Sequence, residues 1–226
     1  MLDRLLDILR NMDVHIAAFA SEHTLGVYAL LFAIIFAETG LVIMPFLPGD
    51  SLLFTVGALS VATDKRPAVF DPWLISLTLI IAGVLGDAVN YHIGKALGPK
   101  IFRGEAGTGW YSRLLNRKHL DRAHAFYETH GGKAIVLGRF VPIVRTFVPF
   151  VAGAGLMNYR TFFVYNVFGS VLWIGVCVGA GVLFGNIAWV KKNFEAVVIG
   201  IIVVSLLPVL VEFLLAKRRA AASSVK

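Results

Sequence analysis

GRFVPIVRTFVPFVAG, residues 138–153, sets Arg139 and Arg145, together with Pro142 and Pro149, inside an otherwise apolar stretch that runs from Ala134 to Leu156. A straight, lipid-facing helix carrying both arginines would lose about 5 to 7 kcal/mol, at roughly 2.5 to 3.5 each. The prolines would also leave backbone carbonyls unpaired where no water reaches them. Irregular backbone at membrane depth is tolerated where it is buried in protein or lines a wet cavity. The stretch 134–156 is therefore predicted as helix, break, helix: a re-entrant hairpin that carries its charges inward.

A second stretch has the same character. Residues 23–37 are uncharged but number only about 15, or ~22 Å of helix against a hydrocarbon core of ~30 Å. They lead into ETGLVIMPFLPGD, residues 38–50, with Glu38, Gly40, Pro45, Pro48, Gly49 and Asp50, and then into a further apolar piece from Ser51 to Ala62. The region 23–62 reads as another broken hairpin, with Gly40, Pro45, Pro48 and Gly49 as its breaks and Pro142 and Pro149 as those of 134–156. Two full crossings are the alternative for 23–62.

Between and beyond the two hairpins the chain is simpler. Residues 73–97 are largely apolar between Pro72 and Pro99, while 161–190 and 196–211 hold no Asp, Glu, Lys or Arg, and Phe213–Ala216 extends the last run. These give three crossings, 73–97, 161–190 and 196–216. The whole chain of 226 residues is 58% hydrophobic and 15% charged, against roughly 25% charged in soluble domains, so the bilayer is its solvent. No linker divides it and no internal repeat of 20 to 50 residues is visible, which predicts one membrane domain over 23–216. Residues 1–22 place Leu2, Leu5, Leu6, Leu9, Met12, Ile16 and Phe19 on one helical stripe opposite Asp3, Arg4, Asp7 and Arg10, the pattern of an amphipathic helix at the membrane surface or against the protein's own flank. No secretory signal peptide is read there.

Charge orients these segments. Residues 99–133 hold seven Lys and Arg against three acids, and the tail 217–226 holds four basic residues and no acid. Both are predicted cytoplasmic by the excess of positive charge on that side. The second hairpin then enters from the cytoplasmic face and the first from outside, an inverted repeat of the kind that supports alternating access. Within 99–133, Trp110, Tyr111, Leu114 and Leu115 interleave with Arg113, Arg117, Lys118 and Arg122, which suits an interfacial helix on anionic lipid better than a nucleic-acid surface.

Three segments, ETGLVIMPFLPGD at 38–50, GDAVNYHIG at 86–94 and GRFVPIVRTFVPFVAG at 138–153, resemble the signature segments of the DedA family, within the SNARE-associated or VTT domain superfamily; the likeness extends from about Phe32 to Gly185. The resemblance implies a multi-pass transporter of the bacterial cytoplasmic (inner) membrane, proton-dependent in several members, that returns undecaprenyl phosphate between leaflets for envelope synthesis. By the same resemblance Glu38 and Asp50 match the family's membrane-embedded acids and Arg139 and Arg145 its essential arginines. The eukaryotic relatives scramble phospholipids, and the proline-arginine pattern here is closer to the bacterial members.

The residues themselves agree in outline. A guanidinium stays charged and presents a planar fork that matches phosphate, so Arg139 and Arg145 suit a phosphate head group. Desolvation and a neighbouring arginine act in opposite senses on a buried carboxylate, which poises Glu38 and Asp50 to exchange a proton. The bland alternative is two structural ion pairs that lock the hairpins and move nothing.

Asp87 and Asn90 form a possible further polar site within the crossing 73–97. His92 reads as a satisfied interior histidine, and no metal site or cofactor is expected because no second His or Cys stands at metal spacing. Cys177, the only cysteine, reads as a small buried apolar residue. Gly175, Gly179, Gly181 and Gly185 fall at the spacing of close helix packing, within the chain or in a homo-oligomer.

The function expected is a non-enzymatic flippase of a polyprenyl phosphate, coupled to protons or another ion. A proton- or ion-coupled small-solute carrier and a phospholipid scramblase are the alternatives. An enzyme acting on lipid phosphate lacks a Ser-His or Cys-His constellation in the apolar segments. The topology is tested by single cysteines in intact cells: positions 118 and 222 are expected to be shielded from an impermeant thiol reagent and positions 65 and 191 labelled. Labelling of position 118 from outside would refute the arrangement.

Overall fold

A computed structural model describes residues 22–41, 49–62, 67–102, 124–125, 127–141, 144–185, 187–192 and 200. The predicted helix over 1–22, the crossing 196–216, the tail 217–226 and the aromatic-basic part of the loop 99–133 fall outside these, apart from residues 22 and 200. The described elements are α1 (Thr24–Gly40), α2 (Gly49–Leu59), α3 (Pro72–Phe102), α4 (Lys133–Gly138), α5 (Val144–Ala154), α6 (Tyr159–Gly185) and α7 (Ala188–Lys192). All are helices.

Two of these helices are long and apolar enough to cross a membrane, α3 over Pro72–Gly98 and α6 over Tyr159–Gly185, each 27 residues or ~40 Å. Their outward faces support a lipid setting. Leu74, Leu77, Ile81, Leu85 and Val89 form an exposed stripe on α3, and Val164, Phe168, Val171, Leu172 and Val176 an exposed set on α6. In water that apolar surface would need another protein to cover it.

The regions 23–62 and 134–156 are each divided in two, as α1 and α2 and as α4 and α5. With 17, 11, 6 and 11 residues, all four fall short of a ~30 Å core. One predicted break is misplaced: Pro149 lies inside α5. The first helix of this region ends at Gly138 and the next begins at Val144. A proline removes the N–H that would bond the carbonyl four residues back and crowds that carbonyl with its ring, a local effect. The surrounding turns hold because Phe147, Val148, Phe150, Val151 and Ala152 are packed with Tyr91, Ile135 and Phe162.

The chain packs as two compact units. The larger contains His23–Leu47 and Trp73–Val176, and the smaller contains Pro48–Pro72 and Cys177–Lys226. In the larger unit α3 and α6 run antiparallel: Tyr91 stacks on Phe162 at 4.4 Å between ring centroids, and Asn166 Nδ2 donates to the Val84 carbonyl at 3.0 Å. Helix α1 runs beside α3 in the same direction, the two backbones meeting where Gly40 faces Gly86. In this unit α5 lies along α3, with Gly94 against the Phe150 backbone, Gly98 against Ala154 and Gly153 against the Tyr91 carbonyl.

The smaller unit contains the same kind of joint. There α2 lies along the end of α6, with Gly181 against the Phe54 carbonyl, Gly185 against Ala58 and Gly57 against the Val178 carbonyl. Phe54-Thr-Val-Gly-Ala58 thus stands in one joint where Phe150-Val-Ala-Gly-Ala154 stands in the other, and Gly181 and Gly185 where Gly94 and Gly98 stand. No repeat is visible in the sequence because only these small residues and one phenylalanine recur. Of the four glycines that fall at packing spacing on α6, Gly181 and Gly185 pack, while a Cβ on Gly175 or Gly179 would meet nothing within 4 Å among the described residues.

That division generates a controlled test. Gly94→Val and Gly181→Val drive a side chain into a neighbouring backbone and are expected to lower stability in detergent by about 1–3 kcal/mol. Gly179→Val, with the same loss of glycine on α6 but open space, is expected to change it by no more than ~0.5 kcal/mol. Equal melting of all three variants would remove the joints as a source of stability.

Candidate functional site

The two arginines of the 138–153 stretch arrive at one place by different routes. Arg139 directly follows α4, where its N–H donates to the Val136 carbonyl at 3.3 Å. Arg145 is in the first turn of α5. Facing them are Glu38 from the last turn of α1 and Asp87 from the middle of α3. Arg145 is ion-paired with Glu38 through Nη2 and Oε1, and Arg139 Nη2 donates to Asp87 Oδ2 at 2.5 Å. Glu38 and both members of the Arg139–Asp87 pair are buried. The four charges sum to zero, which is what a low-dielectric setting requires of them.

Neutral residues complete the setting. Arg139 Nη2 also donates to Asn166 Oδ1 at 2.6 Å and to Ser170 Oγ at 2.8 Å, both from α6. The guanidinium stem passes over Gly169, whose absent side chain leaves the room: a Cβ there would meet Arg139 Nε at 3.1 Å. Three residues beyond Ser170 on the same helix, the Trp173 ring lies 5.5 Å from the guanidinium carbon of Arg139 and 5.5 Å from that of Arg145. An indole face attracts a cation electrostatically, so one ring serves both.

Asn90, one turn beyond Asp87, is fully buried and links backbone to backbone. Its Nδ2 donates to the Thr39 carbonyl at 3.1 Å and to the Thr146 carbonyl at 2.8 Å. Thr39 lies in the final turn of α1, whose carbonyls have no donor further along the helix. Thr146 lies in the turn loosened by Pro149. A single amide therefore ties the end of α1 to the start of α5, and so sets Glu38 opposite Arg145.

Glu38, Thr39, Asp87, Arg139, Arg145, Thr146 and Trp173 line one cavity whose free space for water-sized centres is ≈ 10 Å³, room for about one water molecule.

Of the residues the sequence singles out, Glu38, Asp87, Asn90, Arg139 and Arg145 come together here. Asp50 is in the first turn of α2, exposed, and belongs to the smaller unit. Gly40 ends α1 at its approach to Gly86, and Gly49 opens α2. Pro45, Pro48 and Pro142 fall outside the described residues. His92 is exposed, its Nδ1 2.6 Å from the Ala88 carbonyl and its ring 5.1 Å from that of Tyr159. Among the described residues no cluster of His, Cys, Asp and Glu stands at metal-binding geometry.

Thr39, Thr146, Asn166, Ser170 and Trp173 are site residues that the sequence reading passes over. The signal for three of them lies in the charge-free run 161–190: Asn166, Ser170 and Trp173 at spacings of four and three share one helical face.

The fold and site define an all-helical membrane protein whose interior is organised by two arginine-carboxylate pairs. The VTT domain matches residues 47–183. Protein DedA of Escherichia coli (strain K12) is 49% identical over 218 residues, 96% of this chain and 95% of that protein. An uncharacterized membrane protein of Mycobacterium leprae (strain TN) is 40% identical over 178 residues, 79% of this chain and 75% of its own. Inner membrane protein YghB of Escherichia coli (strain K12) is 34% identical over 193 residues, 84% of each. The chain belongs to the DedA family of VTT-domain membrane proteins. No solved structure matches it.

The pair Arg139–Asp87 gives a stability test. Asp87→Leu leaves a buried guanidinium without its counter-charge and is expected to destabilise the protein by about 3–5 kcal/mol. Adding Arg139→Met to it removes the stranded charge and is expected to recover most of that loss in the same unfolding measurement. A double variant no more stable than Asp87→Leu would show that the pair is not the energetic unit.

Proposed function

We propose that this protein is a flippase for a phosphate-headed lipid, undecaprenyl phosphate in the first place, which it moves across the cytoplasmic membrane with protons as the coupling ion. It performs no covalent chemistry and needs no cofactor. The observation that carries the reading is the matching of Arg139 and Arg145, one to one, with Glu38 and Asp87 around a single cavity. Each arginine is already held by a carboxylate, and a phosphate is the ligand whose oxygens replace carboxylate oxygens on a guanidinium with the same geometry. As phosphate takes an arginine, the released carboxylate becomes the group that binds a proton. Glu38 fills this role at the cavity; Asp50, assigned with it by family resemblance, acts from the smaller unit.

A lipid is favoured by an apolar groove of ≈ 630 Å³ lined by Thr24, Leu25, Tyr28, Ala29, Phe32, Leu74 and Thr78, along the same α1–α3 pair that carries Glu38 and Asp87. Phe32 and Glu38 are six residues apart, ~9 Å of helix. The narrowness of the charged cavity favours the second reading, a proton- or ion-coupled carrier of a small solute, which needs no place for a chain. In either case the hairpins 23–62 and 134–156 enter the membrane from opposite faces, and 99–133 and the C-terminus are cytoplasmic.

The test is transbilayer movement of a polyprenyl phosphate in proteoliposomes, with and without a pH gradient. Arg139→Lys and Arg145→Lys keep the charge but lose the fork, and about a tenfold or greater loss of flux is expected from each. Glu38→Gln and Asp50→Asn are expected to retain phosphate-lipid binding and lose the response to the gradient. Flux near wild type in both lysine variants would remove phosphate recognition from the arginines. Unchanged gradient response in folded Glu38→Gln and Asp50→Asn protein would remove proton coupling from the carboxylates.

A further inference from the structure

The two spans end side by side. Gly98 closes the apolar run of α3 and Tyr159 opens that of α6. Helix α5 brings the turn 155–158 to the same level by packing Ala154 against Gly98 and Gly153 against the Tyr91 carbonyl. Lys95 and Arg160, both exposed, stand at this rim. Lys95 is eight residues beyond Asp87, ~12 Å along the helix from the interior ion pairs. His92 and Tyr159, also exposed, join the two helices with ring centroids 5.1 Å apart. Lys95 shares the exposed face of His92 one turn on, and Arg160 follows Tyr159, so each helix sets one cation beside one aromatic contact.

The two cations are not neutralised by the protein. Among the described residues neither Lys95 nor Arg160 forms an ion pair; Asp87 is held by Arg139, and Glu128 lies 3.8 Å from His124. The turn adds an apolar element. Leu156 follows α5 in the left-handed region, at φ 56°, with 67% of its surface exposed. Glycine is the usual residue at that position because it has no Cβ to crowd the backbone. Little burial within the protein offsets the cost of a leucine there. Phe163, one turn into α6 from Tyr159, is exposed as well. Unmatched positive charge at the rim of two apolar spans, with exposed apolar side chains beside it, complements a molecule that carries a negative head on hydrocarbon chains.

We infer that this rim binds an anionic phospholipid of the surrounding bilayer, its phosphate engaged by Lys95 and Arg160, its glycerol region on the His92–Tyr159 contact and its chains against Leu156 and Phe163. The lipid is a resident neighbour and not the transported molecule, and the site is on the outer surface of α3 and α6, apart from the interior cavity. A free anion would use the cations and leave the apolar side chains uncovered.

Native mass spectrometry of the full-length protein reads the preference, after release from detergent holding equal amounts of phosphatidylglycerol and phosphatidylcholine with the same acyl chains. Wild type is expected to retain phosphatidylglycerol preferentially. Lys95→Gln and Arg160→Gln are each expected to lower that preference about fivefold, the effect of one cation near an anionic surface. Lys133→Gln, which removes another exposed charge, is expected to leave it within about twofold. Leu156→Gly is expected to lower retention of both lipids while the protein melts no earlier, because glycine adopts the left-handed backbone freely.

Equal retention of the two lipids by wild type overturns the inference. A preference unchanged in both Lys95→Gln and Arg160→Gln overturns it too, by placing the lipid elsewhere. An equal loss in Lys133→Gln does the same, because the preference would then reflect only the chain's net positive charge. Displacement of phosphatidylglycerol by an equimolar amount of soluble glycerol phosphate would make the ligand a free anion and overturn the lipid assignment. The flippase reading is measured by flux and stands or falls separately.

Discussion

Two guanidiniums among apolar helices, Arg139 buried and Arg145 partly so, must be neutralised, and the geometry of the larger unit follows from how this is done. The neutralising carboxylates come from α1 and α3, far away in sequence from the arginines, so α1, α3, the turn after α4 and the start of α5 are forced together around them. Local helix electrostatics work against the result. Glu38 sits near the negative C-terminal end of α1 and Arg145 near the positive N-terminal end of α5, each the unfavourable end for its charge. Each is acceptable only because the other is there. Asn90, by holding the Thr39 and Thr146 carbonyls, fixes the two ends face to face without adding charge.

The neutral partners of Arg139 bear on function as much as its counter-ion does. Asn166 and Ser170 accept from the same nitrogen as Asp87, so a guanidinium released by the carboxylate is still held by hydrogen bonds. That lowers the penalty for parting the ion pair, which a fully buried pair would otherwise make prohibitive. Trp173 does the same for both arginines through its ring face. The anion exchange proposed above draws on residues of this kind.

Much of this was legible in the sequence, and what was not has a physical reason. A charge-poor run between Pro72 and Pro99 identifies α3 as a span, a charge-free run identifies α6, and arginines in an apolar stretch identify 134–156 as broken, because the membrane penalises buried charge heavily. The pairing itself was not legible. Arg139 with Asp87 and Arg145 with Glu38 are separated by 52 and 107 residues, and any carboxylate in the chain satisfies charge balance on paper, which is why Asp50 could be taken for a partner as readily as Asp87. Asn166, Ser170 and Trp173 were hidden in a run read for its lack of charge. The doubled joint was hidden because it is made by residues with almost no side chain: Gly94, Gly98 and Gly153 in one copy, Gly57, Gly181 and Gly185 in the other. Pro149 was read as a break because a proline is a strong local signal, yet the packing of its neighbours outweighs one missing N–H.

The position of Trp173 has a practical side. Its indole is buried, belongs to the cavity wall, and sits at equal distance from two positive charges. Indole emission responds to the electric field across the ring, so any event that withdraws or screens one guanidinium shifts the spectrum of this residue. The protein has four tryptophans; with the other three replaced by phenylalanine, the remaining one becomes an intrinsic optical gauge of the state of the ion pairs, readable in a bilayer without any added label.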